Sequence, residues 1–350
     1  MAQERVTGRL VERSYEVGPS AELHVNNVRG AVRVTGTETT AIRLRLEVDP
    51  DHRLPDDDIE RLPIELEHEG NRVDVKVLSD KAIMGWFERR SGPPVVRIGL
   101  EVPLHTLTTV STVSADVSLA GLTGVQTANT VSGKVVATDI DGDLRLNTVS
   151  GDALITRSRG AVRWNSVSGD LIVREGQTTG ITANSVSGRA EATLDGGLAD
   201  GVQAQTVSGD LRLSVPSDFA CDALLSSMSG SVQCSLPVQV LESKRGRWHA
   251  TVNGGGPTVR LSSMSGSLLL LQSSPEGERV ESFRPGQGAA PGGAFRPQPP
   301  RRPDQQPSAP PDDERLRILR QVERKEISIE EGLARLDAMR RQAPDREGVN

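Results

Sequence analysis

Aspartates recur one place after a glycine, at Asp152, Asp170 and Asp210. Carboxylates lined up along a groove are the equipment of glycoside hydrolysis, where one acts as acid and another as base or nucleophile. A carbohydrate-active β-helix enzyme is therefore one function these residues would permit. Lys134, Arg189, Ser231 and Ser267 occupy the equivalent places, and the histidines, His24, His52, His68, His105 and His249, are scattered, four of them outside the main repeat. A mixed surface ladder is the simpler reading.

Other chemistry is weaker still. "DIDGD", residues 139 to 143, sets three acids around a glycine, yet lacks the alternating aspartate register and the final bidentate glutamate of a calcium loop. "NGGGP", residues 253 to 257, has the flexibility of a phosphate loop without a following Lys-Ser/Thr, and reads as a turn between strands. Cys221 and Cys234 are too few for a disulfide framework or a complete zinc site; each sits among alternating apolar residues as a small buried hydrophobe, with one intrachain bridge left open. The expectation is no cofactor, no metal and no enzyme.

Composition points the same way. With 350 residues and 35% hydrophobic side chains the chain can bury a real core, while a net charge of -6 offers no basic face for nucleic acid. Aromatics are only 2%, which disfavours sugar-stacking clefts and base platforms and suits thin cores of Val, Leu, Ile and Ala. No basic start with an apolar h-region opens the sequence, and no run is apolar enough to span a bilayer, so the expected location is cytoplasmic, with peripheral membrane contact left open.

The elements that hold these residues are found by alignment. V-S-G or a variant stands at Val113, Val131, Val149, Val167, Val186, Val207, Met228 and Met264, first at eighteen-residue steps, then nineteen and twenty-one, with a last gap of thirty-six. Glycines at Gly124, Gly142 and Gly160 mark the half-repeats. Short self-similar periods signal stacked coils. In "GDLRLNTVSGD" Leu144 and Leu146 alternate as in a half-buried strand, and the step of three to Val149 breaks phase. The expectation is a bend at Asn147 and Thr148, after which Val149, Gly151, Ala153 and Ile155 face the core and Ser150 and Asp152 face solvent. Glycine takes an inward place where a side chain would crowd the next coil. The Ser/Thr face is interrupted by Arg, Asp and Glu, unlike the flat array of an ice or sugar binder.

Four regions follow. Residues 1–110 form an N-terminal β region in which "HVNNVRGAVRV" (24 to 34) already carries the repeat grammar, so the stack begins around residue 20. Its loop at 79–94 sets Trp86 and Phe87 beside Arg89 and Arg90, either as an apolar hook for a membrane or partner or as a cap over an open core end. Residues 111–272 are the solenoid. Residues 273–311, rich in Pro, Gly and Gln, read as a disordered linker with a span on the order of 35 Å. Residues 312–341 read as a helical hairpin with stripes at Leu316, Leu319, Val322 and at Ile329, Leu333, Leu336, and a capping box from Ser328 to Glu331. So few apolar side chains cannot offset the entropy of ordering the hairpin, which is expected to dock on a protein partner or self-associate.

The stretch "YEVGPSAELHVNNVRGAVRVTG", the strand "VRIGLEVP" and the serial "TVSG" or "SVSG" turns resemble the bacterial putative-adhesin β-solenoid family, a domain of unknown function found in YvlB- and LiaX-type proteins, over roughly residues 10 to 272. "ERLRILRQVERKEISIEEGLARLDAM" is similar to the SHOCT-like helical module that accompanies it. The resemblance implies an all-β, β-helix-like solenoid, no catalytic residues to carry over, and, for some members, a link to cell-envelope stress. The leading expectation is a non-enzymatic β-solenoid scaffold whose hairpin recruits a partner or self-associates. The alternatives are a polymer-forming, bactofilin-like structural protein and the carbohydrate-active enzyme.

Overall fold

One coil explains the architecture of the computed structural model, which describes residues 3–7, 10–18, 20–49, 64–77, 95–244 and 246–273. The strand Leu144–Thr148 runs along one face, the chain turns through Val149, Ser150 and Gly151, and Ala153–Ser168 returns along the opposite face before bending at Gly160 back to the first. Eighteen residues restore the register: Leu144 stands between Gln126 and Val162, and Ala153 between Val135 and Leu171, all in parallel. Each coil thus contributes two strands, and the described residues form an all-β solenoid with two sheet faces.

Inward residues alternate along each strand. Leu144, Leu146, Ala153 and Ile155 are buried, as are their counterparts one coil away, Val162, Trp164, Leu171 and Val173. Trp164 fits this thin core because its rung neighbours are Leu146 on one side and the small Ala183 on the other. A core of aliphatics one side chain deep per face is what the scarcity of aromatics implies.

The first parallel coil is Glu22–Thr37, paired through Val25 with Val110 and through Val32 with Val117, so the stack does begin near residue 20. Beyond it Arg72–Val77 and Val96–Pro103 pair with its two halves in parallel, and the strands outside those pair antiparallel. Ile64–Glu69 and Arg72–Val77 continue one face, while Val96–Pro103, Ala41–Val48, Leu10–Glu16 and Gln3–Thr7 continue the other.

At the far end the stacking order departs from chain order. Thr258–Ser263 pairs with Gly201–Ser208, and Cys221–Ser227 then pairs with the outer edge of Thr258–Ser263. The Met264 coil therefore lies between those of Val207 and Met228, which explains the gap of thirty-six residues. The hairpin of Val238–Lys244 and Arg247–Val252 closes one face by antiparallel pairing with Cys221–Ser227.

One expectation is corrected. Val149 is 44% exposed, whereas Thr148 is buried at 6%. The strand keeps strict alternation through Leu144, Leu146 and Thr148, and the phase break falls between Val149 and Ser150, which both face solvent. The bend lies two residues later than the hydrophobic pattern suggested. Gly151, Ala153 and Ile155 do face the core. The loop bearing Trp86 and Phe87, nearly all of the 273–311 segment, and the hairpin residues Leu316, Leu319, Val322, Ile329, Leu333 and Leu336 lie outside the described residues.

Candidate interaction surface

Stacking copies of one corner turns each sequence position into a row along the molecule. The inward row is hydroxylic: Thr112, Thr130, Thr148, Ser166, Thr206, Ser263 and Ser227 are buried. Thr112 Oγ1 donates to Thr130 Oγ1 at 2.9 Å and Thr148 Oγ1 to Ser166 Oγ at 2.9 Å, Ser227 and Ser263 donate to the carbonyl oxygens of Gly266 and Gly209, and Thr206 Oγ1 is left without a partner. A Thr or Ser is used here because the turn leaves room for a short side chain that can hydrogen-bond locally.

Next comes the turn glycine. A Cβ on Gly151 would lie 2.2 Å from the carbonyl oxygen of Gly133, and the same clash recurs for Gly169 on Gly151 at 2.4 Å. Coils touch backbone to backbone there, and no side chain fits.

The recurring aspartates are also structural in use. Asp116, Asp152, Asp170 and Asp210 each accept the backbone N–H of the equivalent residue one coil on, from Lys134, Asp170, Arg189 and Ser267, at 2.8 to 2.9 Å. The three acids of "DIDGD" are drawn to arginines of the following coil: Asp139 to Arg157 at 2.7 Å, Asp141 to Arg159 at 3.9 Å and Asp143 to Arg163 at 3.4 Å. The two-pronged hydrogen bond from Arg157 holds the Asp139 carboxyl below its ordinary range and raises the guanidinium in turn. Among the described residues no three metal-ligating side chains gather at one point.

The described histidines are placed apart. His68 bonds the Gly70 carbonyl oxygen and tilts against Tyr15 near one end, His105 meets Thr123 Oγ1, and His249 lies in the closing hairpin at the other end. Both cysteines are free thiols. Cys221 is buried, and burial, with smaller contributions from Cys234 and Asp222, pushes its pKa up to about 12; Cys234 is raised by burial as well. Neither is a ready nucleophile at neutral pH. An open groove of about 1100 Å³ crosses the N-terminal strands, but Arg43 pairs with Glu101 and Arg45 with Glu12 across it.

What remains outward at the corner is a row that sequence reasoning placed in the core. In stacking order it runs Val113, Val131, Val149, Val167, Val186, Val207, Met264, Met228, all between 44% and 77% exposed. An exposed serine row follows it on one side. On the other runs an amide row, in which Asn147 donates to Asn129, Asn165 to Asn147 and Asn184 to Asn165 at 2.9 to 3.0 Å. The available signal was parity: counting in twos from Leu144 puts Thr148 inside and Val149 outside.

The family model for Toastrack DUF4097 matches residues 20–270. No curated protein matches the chain. Among solved structures it is similar to a putative lipid binding protein from Parabacteroides distasonis, at 16% identity and a TM-score of 0.47, covering 76% of this chain and 98% of that one. It is also similar to a putative adhesin from Bacteroides fragilis, at 13% identity and a TM-score of 0.44 with the same coverage. A putative cell adhesion protein from Clostridium sporogenes matches at 10% identity and a TM-score of 0.29, covering 77% of this chain and all of that one. With the two-faced solenoid of residues 22 to 272 matched almost end to end by the family model, the chain belongs to the Toastrack DUF4097 family.

Proposed function

We propose that the chain is a non-enzymatic β-solenoid scaffold that presents interaction surfaces, with residues 312–341 as a SHOCT-like hairpin that recruits a protein partner, in the cell-envelope stress setting that its resemblance to YvlB- and LiaX-type proteins implies. The observation that supports it best is the use of the recurring aspartates. Their carboxylates take inter-coil backbone N–H groups, which is work for a stack and leaves the row of exposed valines as the feature without a structural task. The loop of Trp86 and Phe87 is a second contact in this reading, with a protein or a membrane surface.

The test is affinity capture from the native cells, membrane and soluble fractions kept apart, with the intact chain and with a chain lacking residues 312–350. Loss of specific partners on deletion is the expected result. An identical set captured by both would remove the hairpin's role.

A bactofilin-like polymer is the second reading, and the far end of the stack favours it. Val240 and Leu241 are exposed on Val238–Lys244, which among the described strands pairs only with Arg247–Val252. Filaments would grow with concentration in sedimentation, and a concentration-independent monomer rules them out.

A further inference from the structure

We infer that the exposed Val/Met row is a self-association surface whose occupant is the same row of a second copy of this chain. The inference rests on the scaffold reading and gives it a surface. At one parallel rung every ~4.8 Å the row is about 34 Å long. Its eight side chains put on the order of 600 Å² of apolar surface into one strip, the top of the range that the largest apolar patch of a monomer usually reaches. With the flanking serine and asparagine rows as a polar rim the strip reaches the roughly 800 Å² per partner of a standard interface. It contains no charge. The row closes at the N-terminal side, where Val28, in register with Val113, is buried at 8%.

The period selects the occupant. A helix presents its stripe every 5.4 Å, so against rungs at ~4.8 Å it slips by about 4 Å over seven intervals, almost a whole rung. A second copy of the row has the same period, and a two-fold axis parallel to the row sets each side chain against its own copy, methyls against methyls, along its length. The flanking charges give an anionic membrane no purchase, since Asp116, Asp152, Asp170 and Asp210 on the serine side offset Lys134 and Arg189 there and Arg145, Arg163 and Arg260 beyond the amides.

The experiment is sedimentation of the purified full chain from about 1 to 100 μM, with the doubly substituted V149K/V167K chain and the single Q203K chain beside it. Both lysines fall mid-row at exposed positions, whereas Gln203 is exposed off the strip. Wild type and Q203K are expected to reach twice the 37.5 kDa chain mass, while V149K/V167K raises the dimer dissociation constant at least 100-fold with unchanged sheet circular dichroism. Should the lysine chain fail to fold, oxidative cross-linking replaces it: Val149→Cys is expected to cross-link the pair and Gln203→Cys is not. A wild-type monomer throughout, a dimer indifferent to the lysines, a dimer lost only on deleting residues 312–350, or cross-linking no better at 149 than at 203 would each overturn the inference. Partner capture by the intact chain would survive any of these, so the scaffold reading stands or falls separately.

Discussion

Thr148 and Val149 exchange the roles their hydrophobicity suggests, and the exchange has measurable consequences. The Thr148 hydroxyl is buried and donates to Ser166, so Thr148→Ala should cost about 1–2 kcal/mol by leaving that partner short of a hydrogen bond. Val149→Ser, at a half-exposed place, should stay within about 0.5 kcal/mol, and urea unfolding of the two variants checks the pair. Trp164→Ala should be far worse, at about 3–5 kcal/mol, since the core is too thin to collapse around the lost ring. Cys221 adds a pH effect. Its folded pKa is raised from 9.0 to about 12, so the protonated thiol is favoured in the fold; its contribution is complete below pH 9 and is lost as pH climbs toward 12. Melting curves across that window should flatten in Cys221→Ser.

Within an element, the repeat is legible because it encodes backbone contact. Gly151 and its equivalents recur since a Cβ there would strike the preceding coil's carbonyl, and the sequence displays that constraint as a glycine at nearly every rung. Gly151→Val should therefore push coils apart and cost several kcal/mol, an overpacking effect at the upper end of its usual ~1–3 kcal/mol range or beyond, because backbone rather than a flexible side chain is in the way. Gly196→Ala, with nothing within 4 Å and no left-handed backbone, should be neutral in the same melting assay. The corner's phase was not legible by hydrophobicity. Two successive outward residues, Val149 and Ser150, make the turn, and a valine in a signature invites the inward reading that its exposure contradicts. The post-glycine aspartates were recognised as a surface ladder, but their bond to the next coil's N–H depends on coil spacing that only stacking supplies.

For the whole molecule, the solenoid and its start near residue 20 could be read from period and grammar alone. The insertion of the Met264 coil between those of Val207 and Met228 could not, because linear spacing records how far apart two copies are and not which one stacks first. A copied corner, hydroxyls inside and valines outside, builds one continuous apolar strip. Carbene footprinting of the intact chain below about 1 μM, resolved residue by residue, tests every rung together. Heavy labelling is expected at Val113, Val131, Val149, Val167, Val186, Val207, Met264 and Met228, with protection at Thr112, Thr130, Thr148 and Thr206. Labelled threonines beside protected valines would contradict it.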